Sequence, residues 1–593
     1  MVPANLPAWA QRMADLFRSG TVSQFIISGN IHDDVSCADA GQARFLPLQR
    51  FLSDVLFAPQ EVVLFYNRGQ GIQLAKGGDR FFKYLQVFDR FHRTRFASDA
   101  GAASDPDSSL ASPGLLPRDP LRALELIDRF LRSVASGATT EGGEPGSAAV
   151  VVDYASFIAP RGESLYLSGE IGASIIKLRN WAQDPAIAGA NVVTVLLSES
   201  LTDLSEYIVE NPFAAKIAID LPDAAAIAQY VRSLPGADKF KEFCEVSLDS
   251  FAEKVQGLSR INVRTIVMQA QKNSQTITQK SLVRQKKEII EKEAGDRLEF
   301  FETGRTLDDV AGHDEAKAWL REDARLLKKN AARALPMGYL VSGRIGTGKT
   351  YLVECFAGEC GVPFVVLRNF REKWVGATEG NLEKIFSILH ALGQVIVFVD
   401  EADQMTGRRD SGTGDSGLSG RIYGMLAREM ADTRNRGKIL WIFATSRPDL
   451  LEVDLKRQGR LDVHIPLFPP ADEAGIRALF LAMAKKLKVD LAAGEIPRLP
   501  FPQPLSGNEI EGLLIRALRR FELQPEEGKK ETLAQILRRV VAEFRPSAQT
   551  RELELQDLLA VRECTDERFL PARFKKLSRE EIEARIAQLS IAG

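Results

Sequence analysis

The sequence predicts an α/β protein made of two tandem parallel-sheet modules, each followed by a helical subdomain. Three observations lead there. In both halves short apolar runs alternate with helix-patterned stretches, the arrangement expected of parallel strands joined by crossover helices. From Lys239 to Glu302, and again beyond about Ala471, the strand-like runs give way to helical spacing. In the second half the apolar run Met337 to Ser342 leads straight into Gly343-Arg344-Ile345-Gly346-Thr347-Gly348-Lys349-Thr350, which fits GxxxxGK[ST] and makes the architecture P-loop-type.

In the first module (1–235) the strand-like runs are Gln24 to Ser28, Glu61 to Tyr66, Ala149 to Asp153 and Asn191 to Leu197, with a helix over Leu121 to Leu131. Two stretches poor in apolar residues, 97–120 and 137–147, read as flexible surface insertions. Residues 236–303 form a helical subdomain and a connecting helix. Ser281 to Glu293 in that region carries Arg284, Lys286, Lys287, Glu288, Glu291, Lys292 and Glu293, mixed signs that predict a solvated helix face. Residues 304–470 make the second α/β module, and 471–593 a helical lid with C-terminal helices. Helical spacing marks Ile476 to Met483 and Ile510 to Leu518. The last amphipathic stretch, Ile582 to Ile591, could cap the domain or dock on a neighbouring subunit.

Composition sets limits on function. A chain of 593 residues with 45% hydrophobic residues can bury several cores and is not disordered. Its formal net charge of -2 gives no nucleic-acid or acidic-membrane footprint. The cysteines Cys37, Cys244, Cys355, Cys360 and Cys564 make neither a CxxC pair nor a zinc pattern. No run is long and apolar enough to span a membrane and no signal peptide is evident, so a cytoplasmic protein is expected.

The phosphate-loop residue types have a direct physical reading. Gly343, Gly346 and Gly348 let backbone N–H groups turn inward around the phosphates of a nucleotide. Lys349 neutralises the phosphates, and the Thr350 hydroxyl ligates Mg2+. The helix that follows, Thr350 to Cys360, aims its N-terminus at the same anion. About fifty residues on, the strand Val395 to Val399 runs into Asp400 and Glu401 at the sheet's C-terminal edge, where open α/β sheets bind ligands. Asp400 can hold Mg2+ through water, and Glu401 can orient or deprotonate an attacking water. ATP and Mg2+ are therefore the expected substrate and cofactor.

A further strand, Ile439 to Ala444, ends in Thr445-Ser446-Arg447-Pro448-Asp449, followed by Lys456-Arg457-Gln458-Gly459-Arg460-Leu461-Asp462. This order of motifs resembles the AAA clade of the AAA+ ATPases. The resemblance implies that Ser446 senses the γ-phosphate and that Arg457 and Arg460 project into the next subunit's site, which requires a ring or helical oligomer. Arg371-Glu372-Lys373-Trp374-Val375-Gly376 resembles the first pore loop, with Lys373, Trp374 and Val375 facing a protein substrate. Thr406 to Gly420, with Arg408 and Arg409, stands where the second pore loop lies, and Arg421 opens a helix. Nucleic acid is not expected there, because no aromatics are interleaved with the basic pair.

Leu307 to Lys317 resembles the family's entry motif, with Val310 and Ala311 along the adenine. Tyr351 continues the phosphate loop into its helix. Ser506-Gly507-Asn508-Glu509-Ile510 resembles the start of the lid helix, and Phe544-Arg545-Pro546-Ser547 its end, so the likeness covers about Leu307 to Ser547. Departures are Arg344 and Ile345 in place of a proline pair, Ser446 in place of asparagine, and His313 where an aliphatic is common.

The first module has a similar strand order without the chemistry. Gly29-Asn30-Ile31-His32-Asp33 lacks the glycine-lysine-threonine sequel, and Val152-Asp153-Tyr154 has tyrosine where glutamate would stand. It resembles a degenerate AAA-like module, as in some bacterial and plastid tandem AAA proteins; a plain α/β docking domain accounts for the same strands. His32, Asp33 and Asp34 read as solvated loop residues, not metal ligands. The resemblance implies an ATP-driven protein remodeller working as a hexamer. The alternatives are an ATP-dependent scaffold or regulator whose N-terminal module docks partners and, last, a nucleic-acid translocase. No HExxH is present, so the family's zinc protease branch is not expected.

Overall fold

The computed structural model describes residues 6–39, 42–97, 116–137, 146–162, 168–273, 275–294, 298–301, 303–329, 331–367, 378–405, 416–501, 504–524, 531–546 and 549–591. The chain divides into two compact units: Met1–Ile290 with Gly376–Ala391, and Glu291–Val375 with Leu392–Gly593. Among the described residues no helix is long and apolar enough to cross a membrane.

The first unit is built on a six-stranded sheet of order β5-β4-β6-β7-β1-β8. Its strands are β1 (Gln24–Gly29), β4 (Val62–Asn67), β5 (Gly71–Lys76), β6 (Ser147–Val152), β7 (Asn191–Ser198) and β8 (Ala214–Ile219). A hairpin of β2 (Asp34–Asp39) and β3 (Gln42–Pro47) stands apart. All pairings in the large sheet are parallel except β4 with β5. β6 is buried along its whole length, as a strand covered on both faces must be, which explains why Ser147–Val152 reads as a continuous small and apolar run. The helix expected over Leu121 to Leu131 spans Pro120–Ala135. Asp119 caps it by accepting from the Arg122 N–H, and proline at the first position costs no hydrogen bond. Leu124, Ile127 and Leu131 bury its inner face.

One expectation fails in this unit, and a second holds for only part of its residues. Asp33 and Asp34 are buried, not solvated. Asp33 accepts from the N–H groups of Arg260 and Ile261 at the start of helix Arg260–Asn273, and Asp34 accepts from the Tyr230 hydroxyl at 2.8 Å. Both acids thus fasten helical segments to the chain after β1, and Asp33, at a helix N-terminus, also gains from the dipole. Lys286 is also buried, between Leu282 and Ile290 on one stripe of helix Gln279–Glu293, and desolvation pushes its pKa down to about 8. The buried stripe is Leu282, Lys286 and Ile290, every fourth residue, while Arg284, Glu288 and Lys292 give the helix the solvated face expected of the charge run.

The second unit carries a six-stranded sheet of order β14-β10-β13-β12-β11-β9. Here β9 is Leu298–Phe301, β10 Gly338–Ser342, β11 Phe364–Leu367, β12 Val395–Val399, β13 Ile439–Thr445 and β14 Val463–Pro466. Only β9 runs antiparallel, on the edge beside β11. Removing each sheet's antiparallel edge strand leaves β8-β1-β7-β6-β4 in the first and β14-β10-β13-β12-β11 in the second. These are the same order counted along the chain. Helices Glu473–Lys486, Gly507–Glu522 and Leu533–Glu543 pack around Phe480, Leu513, Leu514 and Leu537 as a separate helical core. Ile582 and Ile586 of helix Arg579–Ile591 are buried with Leu555, Leu558 and Leu559 of helix Thr550–Glu563, so this face of the last amphipathic stretch caps its own domain.

Candidate functional site

Central strand β10 delivers the chain into the phosphate loop at the sheet's C-terminal edge. Gly343 has φ 144°, and a Cβ there would lie 2.3 Å from the Leu467 carbonyl oxygen, so only glycine lets the loop leave β10 so close to the end of β14. Gly346 and Gly348, at φ 83° and 84°, turn the loop before helix Lys349–Cys360 begins. Successive left-handed glycines ahead of a helix N-terminus make a cradle of N–H donors for an anion. Helix Gly507–Glu522, the expected lid helix, starts against the loop: the Gly507 N–H donates to the Gly346 carbonyl at 3.0 Å, beside Ser506, which caps the helix with Glu509.

Lys349 Nζ donates to the carbonyls of Gly343 and Arg344 at 2.8 and 3.1 Å. Burial pushes its pKa down to about 8, against the pull of Asp400, Asp403 and Glu401. A cation held out of water in this way is short of negative charge, which a phosphate chain supplies. Thr350 Oγ1 donates to Asp400 Oδ2 at 2.8 Å, so a hydroxyl and a carboxylate suited to a hydrated Mg2+ stand side by side. Glu401 follows at φ 47°, its N–H donating to Asp400 Oδ1 at 2.9 Å, and is exposed at the same edge. Hard oxygen donors, a cradle that a Cβ would fill and an under-compensated lysine fit ATP and Mg2+.

Val310 is buried, and its carbonyl accepts from Lys317 Nζ at 3.0 Å; Ala311 leads into Gly312 and His313, both at positive φ, ahead of helix Asp314–Lys328. Burial pushes the His313 pKa down to about 4, so this imidazole is neutral, and it faces the Thr347 backbone. Thr347 itself is buried, its hydroxyl donating to the Arg344 carbonyl. Tyr351 lies under the Arg305 guanidinium, 5.1 Å from its ring centre.

Ser446 directly follows β13. The adjoining Arg447 N–H donates to Thr445 Oγ1, and its guanidinium pairs with Asp449 at 2.9 Å. Arg457 is exposed and pairs with Asp454 at 3.1 Å, while Arg460 donates to the Asp454 carbonyl. Asp462 fixes this segment to the start of β10 by accepting from the Met337 N–H at 2.7 Å. Lys373, Trp374 and Val375 lie outside the described residues, as do Arg408 and Arg409.

Residues 339–468 match the family model described as ATPase family associated with various cellular activities (AAA). Residues 2–220 match AAA+ chaperone, N-terminal Rossmann-like domain, and 228–295 match AAA+ chaperone, second helical domain. The chain belongs to the AAA+ ATPases. ATP hydrolysis is the reaction of the AAA domain it carries.

Similar proteins include ATP-dependent zinc metalloprotease FtsH 1 of Symbiobacterium thermophilum, 35% identical over 36% of this chain and 38% of that protein. The cell division cycle protein 48 homolog of Archaeoglobus fulgidus is 25% identical over 66% of this chain and 57% of that protein. The chloroplastic FTSH of Capsicum annuum is 31% identical over 41% of this chain and 38% of that protein. The matched segment of this AAA+ chain thus spans little more than a third of the metalloproteases and just over half of the cell division cycle protein homolog.

The first module repeats two backbone features of the second module's site, with an aspartate in common and neither the lysine-threonine pair nor the glutamate. Gly29, at φ 93°, ends β1 with a would-be Cβ 2.5 Å from the Ile219 carbonyl, matching Gly343 against Leu467. Tyr154 sits at φ 52° with its N–H on Asp153 Oδ1 at 2.9 Å, matching Glu401 on Asp400. One participant was missed by sequence reasoning. Gln556, on helix Thr550–Glu563, accepts from the Ile345 N–H at 3.2 Å. The available signal was the unusual Arg344-Ile345 pair, which pointed to different anchoring of the loop without naming the anchor.

Proposed function

We propose that this AAA+ chain is an ATP-driven protein remodeller that acts as a ring, six subunits by likeness to its family. The observation that carries the reading is the junction of Thr350 with Asp400 beside a part-buried, under-compensated Lys349, with Glu401 exposed at the same edge. Thr350 and Asp400 would hold Mg2+, whose charge would offset that of the phosphates. Lys349 and the N–H groups of the glycine turns bind the phosphate chain of ATP, Val310 and Ala311 line the base, and Glu401 orients or deprotonates the attacking water. Ser446 reports the terminal phosphate.

Arg457 and Arg460, held by partners on their own loop and not by the phosphate loop, complete the neighbouring subunit's site. An arginine supplied in this way raises turnover by about 10³ to 10⁵, or roughly 4 to 7 kcal/mol of barrier. Hydrolysis in turn moves Trp374, with Lys373 and Val375, against an extended polypeptide in the central channel. The first module supplies a docking surface on a degenerate AAA scaffold, and each chain binds one ATP.

The test separates a motor from an ATP-dependent scaffold. Trp374→Ala is expected to keep ATP turnover and to lose ATP-driven unfolding of a captured protein substrate. Unfolding at the wild-type rate would leave the scaffold reading as the better one. Hydrolysis stimulated by DNA or RNA, with steep salt dependence, would replace both.

A further inference from the structure

The two departures in the phosphate loop lead to a contact outside the nucleotide site. Proline has no backbone N–H and a fixed φ, so a proline pair holds a loop by stiffness alone. Here Ile345 keeps its N–H and donates it to Gln556 Oε1 at 3.2 Å. Gln556 is only 3% exposed, and its Nε2 donates to Glu552 Oε1 at 3.3 Å, which leaves the oxygen to face Ile345. Arg344, also buried, donates to the Pro504 carbonyl just ahead of the lid helix and faces the Asp557 carboxylate.

The same helix, Thr550–Glu563, reaches the two segments that carry Ser446 and Arg457. Glu552 lies 3.7 Å from Arg447, the residue after Ser446. Glu563 accepts from Lys456 Nζ at 2.8 Å, one residue before Arg457, and Lys456 is nearly buried there. Residues 552, 556 and 563 are four and seven apart, so they share one helix face.

We propose that helix Thr550–Glu563 controls the nucleotide site of this chain, with Gln556 as a positioning residue for the tip of the phosphate loop and Glu563 as a positioning residue for the arginine segment. The idea rests on the ATPase reading above and adds its regulation: a partner or segment that shifts this helix changes ATP affinity through Gln556 and turnover through Glu563.

The test uses the full chain. Gln556→Met, close in volume but without the acceptor, should weaken ATP binding about fivefold, the worth of one neutral hydrogen bond, and leave kcat at saturating ATP unchanged. Glu563→Gln should do the reverse, lowering kcat with ATP affinity within twofold of wild type. In an Ile345→Pro background, which deletes the donated N–H, Gln556→Met should have no further effect. A helix that is merely structural would shift both parameters together in both variants, along with the melting temperature. That result, or no change in either variant, or an undiminished Gln556→Met effect beside Ile345→Pro, overturns the proposal. Wild-type chain that binds no ATP would overturn the reading of the site itself, and is recognised before any variant is compared.

Discussion

Lys349→Met should stabilise the ligand-free chain while destroying its response to ATP. The lysine is held out of water by the loop that needs it, and the fall of its pKa from 10.5 to about 8 corresponds to about 3 kcal/mol of unfavourable charge burial. Because the native value lies below the unfolded one, the unfolded chain holds more protons between them. The deficit is therefore full below pH 8 and fades as pH rises towards 10.5. Methionine fills much of the same space without the charge, so at pH 7 the transition of the second unit should move up by about 5 °C. By pH 10 most of that gain should be gone. ATP at a hundred times its Kd should add about 2.7 kcal/mol to wild type and nothing to the variant. Differential scanning calorimetry with and without ATP, at pH 7 and at pH 10, measures all of this. A variant that melts below wild type at pH 7 without ATP would refute the charge-burial argument. A variant that still gains stability from ATP would show that Lys349 is not the phosphate ligand or that the first module holds a second site.

Two more expectations follow from the geometry. Glu401→Gln should bind ATP as wild type does and release no phosphate in a single-turnover assay; a normal rate would assign the base to another residue. Gly343→Ala and Gly29→Ala should each cost about 1–3 kcal/mol in backbone strain before their carbonyl clashes are counted. Only Gly343→Ala should also abolish ATP binding in equilibrium titrations, and loss of binding in Gly29→Ala alone would place a working site in the first module.

What the sequence disclosed and what it hid differ in range along the chain. The loop from Gly343 to Thr350 and the Asp400-Glu401 pair were legible because each motif is contiguous and sits at the end of an apolar strand, where the backbone fixes its surroundings. Both sheets could be read as parallel α/β from strand and helix alternation, although that alternation says nothing of the edge strands β5 and β9, which run antiparallel. Asp33 and Asp34 were misread because their partners, Arg260 and Tyr230, lie some two hundred residues away. Lys286 was misread because a charge run masks a four-residue spacing of buried positions. Gln556 meets Ile345 across 211 residues, and no local pattern encodes such a contact. His313 at φ 55° shows the same limit: its hydrogen bond with the Thr347 backbone depends on the phosphate loop, not on its own neighbours.

The central claim is that one chain's arginines complete another chain's ATP site. Two crippled chains test it: Arg457→Ala with Arg460→Ala, which keeps the phosphate loop, and Lys349→Ala, which keeps the arginines. Phosphate release should be negligible for each alone and should return, in proportion to mixed interfaces, when the two are combined. Full activity of the double arginine variant by itself, or silence at every mixing ratio in particles shown to contain both chains, would contradict the account.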